Sequence, residues 1–243
     1  MLDRRVRQIL APPLDRAGAR IARLGIEPSV LTASGWGLGV GACVTAAMRL
    51  WYVALALWLA NRLLDGLDGP VARVRGATDL GGFLDIVADF SIYGGFVVAV
   101  AIALPATRLA CLALLLSYYV SGTAFLSLSS LIERRKAHYG DERSLRFVGG
   151  LAEGTETVVV YVLFCLLPAD AALIAWVFTA AVAVTAVQRV ILGATLLRTP
   201  PRSAPHSTAV FTASSSDRGL LPDGDGSRPD DPSPTARSSR SRP

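Results

Sequence analysis

Two pairs of aspartates lie within one short stretch of the chain whose flanks are strongly apolar. Asp65 and Asp68 are three residues apart, and Asp85 and Asp89 are four residues apart. On a helix, either spacing places both side chains on one face. Carboxylate oxygens without histidine or cysteine suit hard cations such as Mg²⁺ or Mn²⁺ better than zinc. The spacing therefore predicts a divalent-metal site at which two acidic helix faces meet.

The elements that carry these acids are long apolar segments. The chain has 243 residues, of which 52% are hydrophobic, and a membrane-spanning helix needs about 20 mostly apolar residues. Spans must be helices because each has to satisfy its own backbone hydrogen bonds in lipid. We therefore predict an all-α integral membrane protein with six transmembrane helices, at 29–48, 51–72, 81–104, 106–132, 151–167 and 171–197.

The second and third predicted spans contain the aspartate pairs and are joined by a short link. They are therefore antiparallel, and the link places both acidic faces at a similar depth. A charge buried at this depth costs several kcal/mol unless it is compensated, so a cation is expected beside it. Arg73 alone cannot neutralise four carboxylates, which supports bound metal ions.

Basic residues concentrate in the N-terminal segment and in the links after spans two and four. The net charge of +5 is therefore interpreted as loops flanking membrane spans and not as a nucleic-acid surface. The same bias predicts that both termini and the acidic site lie on the cytoplasmic side of the cell inner membrane. The predicted regions are an amphipathic interfacial segment (1–27), a six-helix catalytic domain (28–198) and a disordered tail (199–243) rich in Pro, Ser, Arg and Asp.

Glycines beside the acids and in the first span call for a physical reason, because glycine weakens a helix. Gly66 could serve helix packing or ligand approach equally, whereas Gly69 favours ligand approach. The first span carries four glycines at alternating positions, which predicts close packing against a neighbouring helix. They are Gly35, Gly37, Gly39 and Gly41.

A longer pattern surrounds the four acids and is highly specific. The order D-x2-D-G-x2-A-R-x7-G-x3-D-x3-D resembles the signature of the CDP-alcohol phosphatidyltransferase family. The likeness covers roughly residues 20–198 and includes Pro28 and Thr32, although Ser29 stands where family members carry asparagine. The signature positions are filled by Asp65, Asp68, Gly69, Ala72, Arg73, Gly81, Asp85 and Asp89.

The resemblance implies a reaction and a role for each matching residue. The enzyme would transfer a phosphatidyl group from CDP-diacylglycerol, drawn from membrane lipids, to an alcohol, and would release CMP. Asp65, Asp68, Asp85 and Asp89 would hold two Mg²⁺ or Mn²⁺ ions, and Asp89 could also act as general base. A second group would line the nucleotide site, namely Gly69, Ala72, Arg73 and Thr32. The family resemblance also implies a homodimer.

The acceptor alcohol is the least determined part of the reaction. Arg143 and Arg146 precede span five, and Arg189 lies within span six. In relatives with phosphorylated acceptors, basic residues in these regions bind the phosphate, although positive-inside anchoring is an alternative for the first two. Glu153 and Glu156 begin span five, where they could bind hydroxyls, suit the helix dipole or pair with Arg189. Inositol phosphate, glycerol phosphate, serine and other polyols all fit.

Three other functions compete with this interpretation. Intramembrane carboxylates also mark cation or proton transporters, but that class does not explain the fixed Gly69, Ala72 and Arg73, and we find no inverted repeat. A membrane scaffold does not explain the buried charge. A phosphotransferase that uses CDP-choline or CDP-ethanolamine with diacylglycerol shares the signature and stays open.

Overall fold

The described part of the chain is almost entirely helical and contains no strand. The computed structural model describes residues 2–139 and 154–198, with side chains from residue 9 to 134 and from 154 onward. The all-α prediction is therefore confirmed for these residues. The helices are α1 (Leu2–Arg23), α2 (Pro28–Ala47), α3 (Trp51–Arg75), α4 (Asp79–Ala103), α5 (Arg108–Tyr139), α6 (Gly154–Leu166) and α7 (Ala171–Arg198). Single 3-10 turns, Pro105–Thr107 and Pro168–Asp170, precede α5 and α7.

Four of the described helical segments are long and apolar enough to cross a membrane. They are Pro28–Ala47, Asp79–Ala103, Pro105–Arg134 and Pro168–Arg198. No more than 33% of any of these segments is buried inside the protein, so their apolar side chains face outward, as lipid-contacting helices require. Two further predicted spans do not meet the same criteria: α3 has 25 residues but carries several charges, and α6 has 13 described residues. The six-span count stays a prediction, and the predicted tail lies outside the described residues.

Helix α2 packs tightly against both helices that carry the acids. A Cβ at Gly39 would lie 2.7 Å from the side chain of Ile92 on α4, and one at Gly41 would lie 3.3 Å from Leu57 on α3. At Gly35 the Leu64 Cβ would be 3.4 Å away. Close packing is thus confirmed for these three glycines. The prediction was wrong for Gly37, where a Cβ would meet nothing within 4 Å.

This contrast gives a matched pair of substitutions. We expect Gly39→Ala to destabilise the fold by about 1–3 kcal/mol, because the new methyl overlaps the buried Ile92 and α2 must move away from α4. Gly37→Ala should be neutral or stabilising, since the site is open and alanine favours the helix. Thermal melts of the two variants in the same detergent check this. Equal melting temperatures would show that α2 and α4 are not packed at Gly39.

The turn between α3 and α4 orients the two acidic faces. Helix α3 ends at Gly76, whose φ of 106° lies in a region that side chains disfavour. Thr78 then caps α4 by accepting a hydrogen bond from the Gly81 backbone N–H at 3.1 Å. Only residues 76–78 separate the two helices. The chain therefore reverses at once, and α3 and α4 bring their acids to the same end of the bundle.

Helix α1 and an aromatic core support α3 from two sides. A Cβ at Gly18 of α1 would overlap the Cβ of Pro70 on α3, so the two helices touch there. Deeper in the bundle, Trp58 of α3 is fully buried against Phe96 of α4 and Tyr161 of α6, with ring centroids 5.6 Å and 4.9 Å away. These contacts fix the rotation of α3, which determines where its acids point.

Candidate metal and nucleotide site

Three of the four signature aspartates converge on one point. Asp65, Asp68 and Asp85 each offer a carboxylate oxygen, and these oxygens all lie within 4.8 Å of one another. Asp68 is 9% exposed, which is low for a carboxylate beside two others. A bound cation would relieve the repulsion among these like charges. All the donors are oxygens at a spacing that a single ion can bridge, so the residues fit a hard divalent cation.

The helix register explains this convergence. Asp68 precedes Arg75 by seven residues and Asp85 follows Asp79 by six, so each lies roughly 10 Å from the link at a rise of about 1.5 Å per residue. Asp65 and Asp89 each lie ten residues from the same helix ends, roughly 15 Å away. The aspartates thus form two layers along the bundle, and their similar depth agrees with the prediction from the short link.

Thr32 of α2 forms the third wall of the cluster. Its hydroxyl lies 3.1 Å from Asp68 Oδ2 and 3.2 Å from the carbonyl oxygen of Pro28. A hydrogen bond from a neutral hydroxyl orients a carboxylate without removing its charge. Thr32 therefore fixes one oxygen of Asp68, and it connects the aspartate cluster to the beginning of α2.

Asp89 shares an arginine with Asp65. Its Oδ1 accepts a hydrogen bond from Nη2 of Arg62 at 2.9 Å, and Nη1 of the same guanidinium lies 3.4 Å from Asp65 Oδ2. Arg62 thus contacts both members of the deeper layer. With every carboxylate ionised, the four acids and the one guanidinium carry a formal net charge of −3. The deficit is compatible with one or more divalent cations.

Neighbouring side chains fix Arg62 in place. Its Nε donates to Asn61 Oδ1 at 2.9 Å and its Nη1 to the Tyr93 hydroxyl at 2.8 Å. The guanidinium also lies 4.8 Å from the Trp58 ring centroid, within cation–π range. Asn61 in turn donates to the Gly35 carbonyl at 2.8 Å, which ties α3 to α2. The arginine is therefore part of the helix packing as well as of the site.

A cavity of about 610 Å³ opens beside the cluster of Asp65, Asp68 and Asp85. It is bounded by the beginning of α2, the last turns of α3 and the beginning of α4. Among the predicted nucleotide-site residues, Thr32, Gly69 and Ala72 line it, and Asp68 and Asp85 border it on the metal side. A Cβ at Gly69 would lie 3.7 Å from Arg73, with no nearer neighbour. The backbone there is accessible from the cavity, as ligand approach requires.

The remaining predicted residues lie in other places. Arg73 forms an ion pair with Asp15 of α1 and is not among the lining residues of the cavity, whereas Arg75 is. Arg189 donates to the Ser121 hydroxyl at 2.7 Å and lies over the Phe125 ring, joining α7 to α5. Glu156 lies in the first turn of α6. Arg143, Arg146 and Glu153 lie outside the described residues. The roles given to all of these residues stay predictions.

Gly66 lies against α1. A Cβ there would lie 3.4 Å from the side chain of Leu14, and Gly66 is not among the residues that line the cavity, which favours packing over ligand approach.

Comparison with known families settles the class of protein. Residues 26–188 match the family model for CDP-alcohol phosphatidyltransferase. The chain belongs to the CDP-alcohol phosphatidyltransferase family. This match includes the whole signature, both layers of aspartates and most of the cavity. Members of this family use divalent metal ions, and the cluster of Asp65, Asp68 and Asp85 has the oxygen donors that such an ion needs.

Two known proteins are similar to this chain over different lengths. The inner membrane protein YnjF of Escherichia coli is 39% identical over 212 residues, which are 83% of this chain and 100% of that protein. Archaetidylinositol phosphate synthase of Pyrococcus horikoshii is 34% identical over 86 residues, or 35% of this chain and 46% of that protein.

Solved structures of a phosphatidylinositol phosphate synthase share the fold. The Mycobacterium tuberculosis phosphatidylinositol phosphate synthase, solved with CDP-DAG bound, superposes with a TM-score of 0.58 at 24% identity over 75% of this chain and 94% of that one. A second structure, with manganese and citrate, gives the same TM-score and identity over 89% of its chain. At this identity the comparison establishes the common helical fold.

Several residues of the phosphatidyltransferase site were not identified from sequence. Arg62 is the most important of them, and an arginine three residues before an intramembrane aspartate was the signal that could have revealed it. Tyr93 and Asn61 look like ordinary polar residues of a span, and only the packing of α3 against α2 and α4 shows their role. Arg75 could not be distinguished from Arg73 by charge alone.

Proposed function

We propose that this chain transfers the phosphatidyl group of CDP-diacylglycerol to an alcohol acceptor and releases CMP, using divalent cations bound by Asp65, Asp68 and Asp85. The observation that carries the proposal is the convergence of three carboxylates, within 4.8 Å, at the edge of a 610 Å³ cavity. A metal cluster beside a cavity of this volume suits a diphosphate joined to a nucleoside.

In the proposed reaction, the acceptor hydroxyl oxygen attacks the lipid-side phosphorus of the diphosphate. The bond from that phosphorus to the bridging oxygen breaks, and CMP leaves with the bonding electrons. The divalent cations, when bound, supply charge neutralisation for the diphosphate and for departing CMP. Asp89 accepts the hydroxyl proton, and Arg62 orients that carboxylate through the 2.9 Å contact at Oδ1.

The cytidine nucleotide is proposed to occupy the cavity along the last turns of α3. Gly69 allows close approach to the backbone, and Thr32 keeps Asp68 turned toward the metal cluster. Arg75, 3.2 Å from the Ala22 carbonyl through Nη1, lines the same cavity and is an added candidate for phosphate contact. Arg73, by contrast, stabilises α1 against α3 through Asp15.

We also propose that the protein crosses the membrane six times, with the cavity facing the cytoplasm. The basic N-terminal segment and the arginines at the α3 end support this orientation. The relative YnjF is named an inner membrane protein, which supports the same membrane for this chain.

The decisive experiment supplies purified protein with CDP-diacylglycerol, Mn²⁺ and a panel of alcohols, and measures CMP release and lipid product. The panel contains inositol phosphate, glycerol phosphate, serine and free polyols. A parallel reaction contains CDP-choline and diacylglycerol. CMP release from the first donor alone supports the proposal. CMP release only from CDP-choline and diacylglycerol would contradict the proposal and show that the protein is a phosphotransferase that uses CDP-choline with diacylglycerol.

Arg189 provides a prediction about the acceptor. If Arg189 binds an acceptor phosphate, Arg189→Ala raises the Michaelis constant of a phosphorylated acceptor by about ten- to a hundredfold, because one charge-assisted hydrogen bond is lost. The Michaelis constant of CDP-diacylglycerol should change little. Ser121→Ala is the matched control, because it removes the 2.7 Å interhelical contact and keeps the charge. We expect both variants to melt at a lower temperature and only Arg189→Ala to change acceptor kinetics. If both variants have the same Michaelis constant for the acceptor, the role of Arg189 is to join α5 to α7 and not to bind the acceptor.

A further inference from the structure

Helix α1 has two sides of opposite character. The side toward α3 consists of small or apolar residues that recur at every fourth position, namely Leu14, Gly18 and Ala22. Three exposed arginines follow a different spacing, namely Arg16, Arg20 and Arg23. At 3.6 residues per turn, these arginines lie on the side of α1 that points away from α3. They form the outward face of α1.

The acids nearest in sequence do not compensate the charge of the outward face. Asp15 of α1 forms an ion pair with Arg73 of α3. Glu27 accepts a hydrogen bond from Ser29 at 3.3 Å and lines the cavity. Among the residues whose side chains the structure describes, no carboxylate forms an ion pair with an arginine of the outward face. Three neighbouring positive charges are therefore exposed on one side of α1.

Helix α1 lies at the height of a membrane surface. Residues 24–27 alone connect it to α2, which is long and apolar enough to cross a membrane. A Cβ at Gly18 would overlap Pro70, and the Ala22 carbonyl accepts a hydrogen bond from Arg75 at 3.2 Å. Both Pro70 and Arg75 belong to the final turns of α3. The outward face is therefore level with the end of the helix bundle, where lipid headgroups surround a membrane protein.

Apolar side chains accompany the arginines on the exposed side of α1. Ile9 precedes Arg16 by seven residues and so lies on the same side of the helix, where it is 72% exposed. Leu24, directly after Arg23, is 76% exposed. Helices that lie between lipid headgroups and acyl chains combine basic and exposed apolar residues in this way. The long arginine side chains then reach the phosphates while the apolar side chains contact lipid.

We propose that the outward face of α1 binds the phosphate groups of anionic phospholipids. Guanidinium groups bind phosphate through charge-assisted, bidentate hydrogen bonds. Each arginine near an anionic membrane surface strengthens attachment by about fivefold, whereas a zwitterionic headgroup has no net charge to attract the three arginines. Because α1 packs along the part of α3 that carries Asp68, bound lipid also stabilises the helix bundle. The proposal does not depend on the transferase reaction proposed above.

The test measures the affinity of the full-length protein, in nonionic detergent, for fluorescent phosphatidylglycerol and for phosphatidylcholine with the same label and acyl chains. Wild type should bind phosphatidylglycerol at least about tenfold more tightly. The variant Arg16→Gln/Arg20→Gln should weaken phosphatidylglycerol binding by about 10–30-fold and leave phosphatidylcholine binding within about twofold, because two arginines are lost. Both substituted residues are exposed and neither lines the cavity, so a lipid bound in the cavity would not respond to the change.

Helices α5 and α7 approach the same end of the bundle as α3. Helix α5 follows α4 after one 3-10 turn and therefore returns toward the end of α3. Contacts of Arg189 with Ser121, and of Gly193 with Leu128, show that α7 runs parallel to α5. Exposed arginines near the ends of α5 and α7 thus share the side of the membrane with α1.

This topology supplies a matched control, Arg134→Gln/Arg198→Gln, which removes two exposed arginines from the same end of the bundle. It should keep the affinity for phosphatidylglycerol within about threefold of wild type, because charges on other helices are screened from α1. Phosphatidylglycerol should also raise the melting temperature of wild type more than that of Arg16→Gln/Arg20→Gln.

Three results would overturn the proposal. Equal affinity of wild type for the two lipids is the first, and it needs no variant to fold. The second is a loss of phosphatidylglycerol affinity in the control as large as that in Arg16→Gln/Arg20→Gln, which would show a general effect of charge. The third is an equal rise in melting temperature for wild type and Arg16→Gln/Arg20→Gln on addition of phosphatidylglycerol.

Discussion

Asp68→Asn and Asp85→Asn should each lower the rate of CMP release by about 10²–10³-fold, the loss expected when a charged transition-state contact is removed. Each substitution keeps the shape of the side chain and removes one negative charge from the converging cluster. The measurement is turnover of purified variants at saturating CDP-diacylglycerol, with far-ultraviolet circular dichroism to confirm that the helices persist.

Asp79→Asn is the matched control for these two variants. Asp79 is exposed at the beginning of α4, six residues from Asp85, and it does not line the cavity. Its turnover should stay within about twofold of wild type. Wild-type turnover in Asp68→Asn or Asp85→Asn would show that the substituted residue is not part of the metal site. A large loss of turnover in Asp79→Asn would instead indicate that any change of charge at this end of the bundle lowers activity.

Chelation should abolish activity while leaving the fold intact. Excess EDTA is expected to reduce CMP release by at least about a hundredfold, because three unneutralised carboxylates repel the diphosphate. Addition of Mn²⁺ or Mg²⁺ after removal of EDTA should restore turnover. The helices should survive, since Arg62 and Thr32 already provide contacts to Asp65, Asp89 and Asp68 without metal.

Two controls make the chelation experiment decisive. Elemental analysis must show that the chelated protein contains no transition metal or magnesium, and the melting temperature must be recorded alongside turnover. Full turnover in metal-free protein contradicts the metal site. Loss of the folded state on chelation would instead show that the cation is part of the structure.

The chemistry of the site could be predicted because it depends on local spacing. The intervals between Asp65 and Asp68, and between Asp85 and Asp89, fix which side chains share a helix face. The short link then fixes the depth at which the two faces meet. Neither step requires knowledge of how distant helices pack, which is why the convergence of Asp65, Asp68 and Asp85 agrees with the sequence analysis.

Contacts between distant helices could not be predicted in the same way. The ion pair between Arg73 and Asp15 joins residues 58 positions apart, and no periodicity shows which acid an arginine will reach. The sequence therefore assigned Arg73 to the nucleotide site without revealing its ion pair with Asp15, and it did not show that Arg62 contacts Asp65 and Asp89. Hydropathy alone also does not identify every predicted membrane span. Helix α3 carries the charges that the site needs, and because of these charges it is not among the helices that are apolar enough to cross a membrane.

The cavity is bordered by the first residues of two helices, Pro28 and Ser29 of α2 and Leu80 and Gly81 of α4. Helix beginnings carry partial positive charge from aligned peptide dipoles, equivalent to roughly half an elementary charge each. The backbone therefore contributes an attractive potential for an anionic ligand that no side-chain substitution removes. Alanine scanning of this cavity would consequently underestimate how strongly it attracts a diphosphate. The contribution of the peptide dipoles to this attraction would be revealed only by changes that unwind the first turn of α2 or α4.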